Sequence, residues 1–420
     1  MRTLRELFAR DITRRIEEVI KVTQADEAAV REELREYVAT EAIKEHFKTV
    51  LRAIAEAPAD PHEGIGVWIS GFFGSGKSSF AKILGYTVAA GKVGDRTASQ
   101  LFKETVQDAR ISALLDSINA RIPMHAVIFD VSMDSGVRPS GERITEIMYR
   151  ALLRELDYAE DFDLAHLEMT LEHDGRLAAF ERRFEEVFAE PWRRRRKLSH
   201  SINEASRILH NLDPRTFPSA DSWARTVGKD GRADITPNLL AERAFDLAAR
   251  RKPGHALIFV IDEVGQFVAR SVEKMDDLRA VVQAFGVVGK NRVKARQAAA
   301  PCWIIVTSQE KLNEVVDALD AKKVEFARLQ DRFPITIDLK QSDIAEVTGR
   351  RVLEKTAEAR RLLDGLYQRN EGRLKTFCAL ERTTRNITLT RDDFVRLYPY
   401  LPYQIDLCID IVAGLRLRRG

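Results

Sequence analysis

Five short apolar runs divide a chain whose other segments have mostly helical periodicity. Continuous apolar runs of this length, bounded by turn residues and separated by helical stretches, are typical of strands buried on both faces of a parallel sheet. We therefore predict an α/β fold with a doubly wound, five-stranded parallel sheet. The five predicted strands lie at residues 65–69, 126–131, 257–261, 303–306 and 335–339.

Helical patterns flank this sheet and interrupt it. The gap between the second and third predicted strands is far longer than the connections of a compact fold. It carries apolar stripes such as Phe180, Phe184 and Phe188, so we predict a mainly helical insertion. The predicted organisation is a helical segment at 1–62, a core at 63–340 with an insertion at about 133–254, and a helical segment at 341–420 that begins a lid or a larger carboxyl-terminal region.

Composition limits the classes of function. The chain has 420 residues, of which 45% are hydrophobic, and this excludes a wholly disordered protein. Lys and Arg number 67 against 64 Asp and Glu, so the net charge is +3. This balance gives no general reason for binding nucleic acid or a membrane, and any such surface must be a local patch.

The three cysteines, Cys302, Cys378 and Cys408, are far apart and form no CxxC pair. We expect thiols in a reducing compartment, and neither a disulfide frame nor a zinc site. No run reaches the roughly eighteen apolar residues of a membrane span. Acidic residues near the start, such as Glu6 and Asp11, argue against a signal or transit peptide. We therefore expect a soluble, cytoplasmic protein with no membrane partner.

Residues 71–78 read GFFGSGKS and match the phosphate-binding pattern GxxxxGK followed by Ser or Thr. The match follows a predicted strand and precedes an amphipathic helix; the alternative is a glycine-rich turn that binds nothing. In such a loop backbone N–H groups point at a phosphate, Lys77 reaches the β- and γ-phosphates, and the Ser78 hydroxyl coordinates Mg²⁺. The predicted nucleotide contacts are Gly71, Phe72, Phe73, Gly74, Ser75, Gly76, Lys77, Ser78 and Ser79.

Two carboxylates end the third predicted strand. Asp262 suits an Mg²⁺ ligand held through water, and Glu263 beside it would polarise an attacking water. Alone, this pattern is equally typical of a strand capped by an acidic turn. Together with the phosphate loop it predicts an enzyme that hydrolyses ATP with Mg²⁺, in which Lys77 and Glu263 are catalytic.

Two weaker features follow along the chain. Ser308 and Gln309 end the fourth predicted strand, where they would contact the γ-phosphate or orient the water; alternatively, they cap the next helix. Arg332 precedes the fifth strand and would project toward a neighbouring subunit's nucleotide to offset transition-state charge. The alternative is an ordinary surface arginine or an ion pair with Asp331. Arg328 is a further candidate, and Arg332 is preferred because it is beside the strand.

The phosphate loop, the Asp-Glu strand, the polar-ended strand and the arginine before the last strand, in that order, resemble an AAA+ ATPase of the additional-strand type. Several segments also look like the P-loop protein family of bacteriophage exclusion (BREX) systems, BrxC/PglY. Members of that family are typically much longer, so the chain resembles its N-terminal ATPase portion. The segments that carry the resemblance are 7–27, 36–40, 66–80, 304–312, 329–333 and 398–404.

The resemblance implies an ATP-dependent component of phage defence. It implies self-association through the ATPase domain and assembly with other BREX proteins, among them a methyltransferase and a phosphatase-like protein. In AAA+ proteins the segment before the first strand often packs on adenine, which makes Tyr37 and Val38 candidates for that contact. Ordinary helix core is the alternative for both residues.

DNA is a candidate partner, and the strongest basic run, at residues 193–197, would contact its phosphates. Acidic residues just before the run, including Glu186 and Glu190, favour a solvated face or internal ion pairs instead. Two other functions stay open. One is a nucleotide-gated scaffold with incidental turnover, and the other is a free-standing, origin-recognition-like ATPase that remodels DNA.

Overall fold

The computed structural model describes residues 3–13, 26–72, 74–134, 142–198, 200–227, 234–269, 271–317, 329–340, 346–347, 349–380 and 388–417. In chain order the helices and strands within them are α1 (Glu27–Glu36), α2 (Glu41–Glu56), β1 (Gly66–Gly71), α3 (Lys77–Ala89), β2 (Lys92–Val93), β3 (Arg96–Thr97), α4 (Ala98–Val106), α5 (Ala109–Arg121), β4 (Met124–Asp130), α6 (Val131–Asp134), α7 (Ile144–Glu155), α8 (Phe162–His173), α9 (Leu177–Phe188), α10 (Trp192–Arg195), α11 (Ser201–Leu212), α12 (Pro237–Arg251), β5 (Ala256–Asp262), α13 (Val264–Val268), α14 (Val272–Lys294), β6 (Trp303–Ser308), α15 (Leu312–Asp317), β7 (Ile335–Leu339), α16 (Ala357–Phe377), α17 (Arg391–Leu397) and α18 (Pro402–Leu417).

Five strands form one parallel sheet in the order β4–β5–β6–β1–β7, and β2 and β3 form a separate antiparallel pair. The prediction of an α/β fold with a five-stranded parallel sheet is confirmed, with small shifts at the strand ends. β6 lies between β1, which leads into the phosphate loop, and β5, which ends in two carboxylates. Because the strands are parallel, their carboxyl ends meet at one edge of the sheet.

Helices cover both faces of the sheet. Because successive side chains of a strand point to opposite faces, each strand packs against helices on both sides. In β1, Val67 and Ile69 belong to a hydrophobic cluster that includes residues of α2, α3 and α5. Trp68 belongs to a second cluster, which includes residues of α7, α12 and α14. β5 is buried along its whole length, as a strand in the middle of a covered sheet should be.

Helices α7 to α12 occupy the long connection between β4 and β5. α7 and α12 pack on the sheet, whereas α9 to α11 and one side of α8 form a separate hydrophobic cluster. The predicted apolar stripe lies in this cluster: Phe180 and Phe184 are buried around Trp192, and Phe188 stacks near Phe184 with 4.6 Å between ring centroids.

The terminal segments contact each other as well as the sheet. Leu34 of α1 and Phe47 of α2 are buried in the cluster that covers β1 and α3. The Thr356 N–H donates to Leu7 O at 3.1 Å, which joins the first described residues to the chain after β7. Residues 14–25 of the predicted amino-terminal helical segment lie outside the described residues.

Two further expectations from the sequence concern the cysteines and the helices that could cross a membrane. All three cysteines are free thiols; Cys302 is buried, Cys378 is half-buried and Cys408 is exposed. Among the helices that the structure describes, none combines the length and the apolar character needed to cross a bilayer.

Candidate functional site

The predicted phosphate loop runs from Gly71, the last residue of β1, to Lys77, the first residue of α3. Gly74 and Gly76 have φ angles of 79° and 87°, and a Cβ at either position would meet nothing within 4 Å. Glycine is needed there because of the backbone conformation and not because of crowding. Because α3 begins at the end of the loop, its unpaired first-turn N–H groups and the positive end of its dipole lie there. Phe73 is outside the described residues.

Ser75 and Lys77 place polar atoms inside this loop. The Ser75 hydroxyl is buried with no hydrogen-bond partner among the described residues, which is costly unless a ligand or water satisfies it. Lys77 is 5% exposed, and its Nζ donates to Phe72 O at 3.1 Å, whereas the Phe72 ring is exposed. Burial lowers the pKa of Lys77, although the nearby charges of Glu263 and Asp262 act in the opposite direction.

Asp262 connects the end of β5 to the start of α3. The Ser78 hydroxyl donates to Asp262 Oδ1 at 3.0 Å, and the Thr307 hydroxyl at the end of β6 donates to the same oxygen. Burial raises the pKa of Asp262, and the charge of Asp130, which is opposite to it in the β4–β5 ladder, acts in the same direction. The structure thus brings together Ser78 and Asp262, the two predicted Mg²⁺ ligands.

Glu263 has a backbone conformation that few residues with a Cβ adopt. Its φ is 59°, in the left-handed region, and its N–H donates to Thr307 Oγ1 at 3.0 Å. Its Oε2 is buried with no partner in the described part of the chain. Burial, followed by the charge of Asp262, raises the pKa of Glu263, while a hydrogen bond from the Gln309 side chain lowers it. Gln309 therefore lies beside Glu263, and its contact with the γ-phosphate or the water stays a prediction.

Ser308, the other polar residue predicted at the end of β6, uses its hydroxyl locally. Its Oγ accepts the Glu310 N–H at 3.1 Å. The same oxygen lies so close to Gly265 that a Cβ there would be 1.9 Å away. The hydrogen bond with Glu310 belongs to the turn before α15, as in the helix-capping alternative for Ser308, and the second contact is with α13.

Arg332 lies at the amino-terminal edge of the sheet, opposite to the phosphate loop. The Gly66 N–H, at the start of β1, donates to Arg332 O at 2.9 Å. β1 has 6 residues, and at about 3.3 Å per residue its two ends are about 17 Å apart. Arg332 therefore cannot serve the phosphate loop of its own subunit.

The partner of Arg332 differs from the one considered in the sequence. Arg332 Nη1 is 3.2 Å from Glu63 Oε2, and Glu63 Oε1 is 3.1 Å from Lys290 Nζ. The alternative considered from the sequence was an ion pair with the adjacent residue Asp331, because a sequence alone shows only the neighbours along the chain. Arg328 lies outside the described residues.

Tyr37 and Val38 follow α1 directly. The Tyr37 ring is 6.0 Å from the Phe47 ring and 5.9 Å from the Phe102 ring, measured between centroids. Burial raises the pKa of Tyr37, and Val38 is half-buried. These are the contacts of helix core, the alternative for Tyr37, and adenine packing stays a prediction.

Ser79 turns its side chain away from the loop. Its hydroxyl donates to Glu33 Oε1 on α1 at 3.4 Å, and Glu33 Oε2 is 2.9 Å from Lys82 Nζ. Only the backbone of Ser79 therefore remains for the predicted contact with nucleotide.

The donor set at the carboxyl edge fits Mg²⁺ and not a metal held by protein ligands alone. No group of three or more His, Cys, Asp or Glu residues within the described ranges is arranged to hold a metal ion. Mg²⁺ usually keeps several waters and takes one or two protein oxygens besides substrate phosphates, which Ser78 and Asp262 can supply. The charge of Asp130 acts on both Asp262 and Glu263, the charge of Lys77 acts in the opposite direction, and a bound cation would offset the repulsion among the three carboxylates.

The basic run at 193–197 is part of an internal network. Each of its four arginines has a carboxylate partner in the connection between β4 and β5. The partners are Asp157 and Glu181 for Arg193, Glu190 for Arg194, Glu190 and Glu204 for Arg195, and Asp157 and Glu168 for Arg196. The run thus has the contacts of the internal ion-pair alternative.

Thr307 is a described residue of this site for which no role was predicted. Its hydroxyl contacts both Asp262 and Glu263, and the only signal in the sequence is that Thr307 is the first polar residue at the end of an apolar strand.

No protein-family model matches the chain, and no solved structure gives a significant match.

Proposed function

We propose that the chain binds ATP with Mg²⁺ and hydrolyses it. The observation that carries this proposal is the convergence of Lys77, Ser78, Asp262 and Glu263 at one edge of the sheet, with Ser78 Oγ 3.0 Å from Asp262 Oδ1. The residues come from two distant segments, and each has the chemistry that phosphoryl transfer to water requires.

The roles of the residues follow from their positions. Lys77 and the first-turn N–H groups of α3 would bind the phosphates and stabilise the charge that develops on their oxygens. Ser78 and Asp262 would hold Mg²⁺, which supplies further charge neutralisation when bound. Glu263 would orient and polarise the attacking water, and Gln309 would hold the Glu263 carboxylate or the water in place.

The strand order supports assignment to the AAA+ ATPases. β6 lies between the phosphate-loop strand and the strand that ends in Asp262, which is the arrangement implied by the additional-strand type. The resemblance to the BREX P-loop family supports a role in phage defence with a methyltransferase and a phosphatase-like protein. Loss of phage protection on Lys77→Ala substitution in a host carrying the whole system tests this role.

The position of Arg332 supports a second candidate function, a nucleotide-gated scaffold. If this arginine acts on a nucleotide, the distance of about 17 Å from its own phosphate loop means that it acts on another subunit's nucleotide, and binding would be coupled to assembly. We expect the mass in solution to increase with ATP. A mass that ATP does not change would exclude ATP-driven assembly.

The origin-recognition-like function has less support. The arginines of the strongest basic run are engaged with carboxylates, so they contribute little free charge for DNA phosphates. The direct test of the leading proposal is Mg²⁺-dependent phosphate release from ATP by the purified chain.

A further inference from the structure

Thr307 occupies a buried position between the two catalytic segments. It lies near the end of β6, where it is opposite to Ile69 of β1 in the ladder. Its side chain reaches the end of β5, where it meets both Asp262 and Glu263. Thr307 is fully buried.

The hydrogen bonds of Thr307 use its hydroxyl in both directions. A hydroxyl has one proton to donate and two lone pairs that accept. The proton goes to Asp262 Oδ1, and a lone pair accepts the Glu263 N–H at 3.0 Å. Because the proton is already engaged, Thr307 has no donor left for a phosphate oxygen, so its influence on the reaction must pass through these two residues.

The two hydrogen bonds restrict the conformations of the Asp262 carboxylate and of the Glu263 backbone. Asp262 Oδ1 receives hydroxyl protons from Ser78 and from Thr307, which fixes the rotation of the carboxylate. The left-handed φ of Glu263 is unfavourable for a residue with a Cβ and persists only where the surroundings enforce it. The hydrogen bond from its N–H to Thr307 is one such constraint.

We propose that Thr307 is a positioning residue that holds the Mg²⁺-binding oxygen of Asp262 and the water-polarising carboxylate of Glu263 in a fixed mutual arrangement. This inference rests on the proposed ATPase function. Loss of the hydroxyl would free the Asp262 carboxylate to rotate and leave the Glu263 peptide without its partner. Metal-dependent nucleotide binding would weaken and the turnover rate would fall, although no contact with the substrate is removed.

Two matched pairs of side chains isolate the hydroxyl. Thr and Val have nearly the same shape and differ by the hydroxyl, and Ser and Ala differ in the same way without the methyl group. We expect Thr307→Val and Thr307→Ala to lower kcat for ATP about 10–100-fold, the usual range for partners of metal ligands. Thr307→Ser should stay close to the wild type, and the KM for ATP should change less than kcat.

A binding measurement complements turnover. The Mg²⁺ concentration that gives half-maximal binding of a non-hydrolysable ATP analogue should rise about tenfold in Thr307→Val and should be unchanged in Thr307→Ser. Thermal unfolding without nucleotide identifies a variant that fails to fold, in which case the Ser and Ala pair is compared instead.

The outcomes separate this inference from the proposed function. Wild-type kcat and Mg²⁺ dependence in Thr307→Val would overturn the positioning role, and so would equal losses in the Ser and Ala variants. If the wild type shows no turnover even with DNA and partner proteins present, the hydrolase proposal fails, yet the Mg²⁺ dependence of analogue binding still decides whether Thr307 positions Asp262.

Discussion

Ser78 Oγ and Asp262 Oδ1 are 3.0 Å apart, although 184 residues separate the two in the chain. The sheet order explains the contact, because β1 and β5 both neighbour β6 and end at the same edge. The hydroxyl at the start of α3 and the carboxylate at the end of β5 supply the hard oxygen ligands that Mg²⁺ prefers.

Ser78→Ala removes the hydroxyl from this pair. We expect the affinity for ATP in the presence of Mg²⁺ to fall about tenfold, and the affinity in EDTA to stay unchanged, because only metal binding is affected. Calorimetric titration under both conditions measures the difference. Ser112→Ala, which removes a hydroxyl on α5 that donates to Asp108 O, is the control. Equal losses with and without Mg²⁺ would contradict the metal role.

Lys77→Ala removes the ammonium group of the phosphate loop. Lys77 donates to the neutral carbonyl of Phe72, and a phosphate oxygen would be a stronger, charged acceptor. We therefore expect the affinity for ATP to fall at least about tenfold, equivalent to about 1.4 kcal/mol. Equilibrium binding of a fluorescent ATP analogue tests this. The exposed Lys92, replaced by alanine, should bind like the wild type; equal affinities for the two variants would argue against the proposed site.

Arg332→Ala tests an action between subunits. We expect kcat to fall about 10³-fold while ATP affinity is retained, because Arg332 lies at the far edge of its own sheet.

Mixing Arg332→Ala with Glu263→Gln distinguishes the two directions of action. The first variant has an intact site without an incoming arginine, and the second supplies the arginine but cannot activate water. Turnover by the mixture should exceed the sum of the separate variants. A mixture that is merely additive would exclude a contribution in trans.

Lys82 and Glu33 form a buried ion pair between α3 and α1, 2.9 Å apart, with side chains 2% and 10% exposed. Lys82→Met removes the lysine partner of the buried Glu33 carboxyl, and we expect a loss of about 3–5 kcal/mol in the free energy of unfolding. The double variant with Glu33→Leu should regain most of it. Urea denaturation measures both values. The control is Lys103→Met, which breaks the more exposed pair with Asp116 and should cost no more than about 1 kcal/mol. An equally small loss in Lys82→Met would show that burial does not determine the contribution of the Lys82–Glu33 pair.

Local patterns predicted much of this molecule. The five strands were visible because strands covered on both faces are continuously apolar, and the phosphate loop because its glycines and Lys77 are contiguous. The two carboxylates were visible because Asp262 and Glu263 directly follow the strand. Each of these features depends only on residues close together in the chain.

Features that depend on which strands are neighbours could not be predicted. Thr307 meets Asp262 and Glu263 only because β6 lies beside β5 in one particular register. The partner of Arg332 is Glu63, 269 residues away, and not its neighbour Asp331. The arginines at 193, 195 and 196 likewise reach carboxylates on neighbouring helices, at Glu181, Glu204 and Glu168. The pair of Arg194 with Glu190 is local, and the acidic residues just before the run favoured it.

Turnover by Glu263→Gln beside the wild type tests the proposed hydrolysis most directly. The substitution keeps the size of the side chain and removes the charge that would polarise water. We expect ATP affinity to be retained and kcat to fall about 10²–10⁴-fold. Equal phosphate release by the two proteins, or a wild type that binds ATP and releases no phosphate even with DNA and partner proteins present, would contradict the proposal.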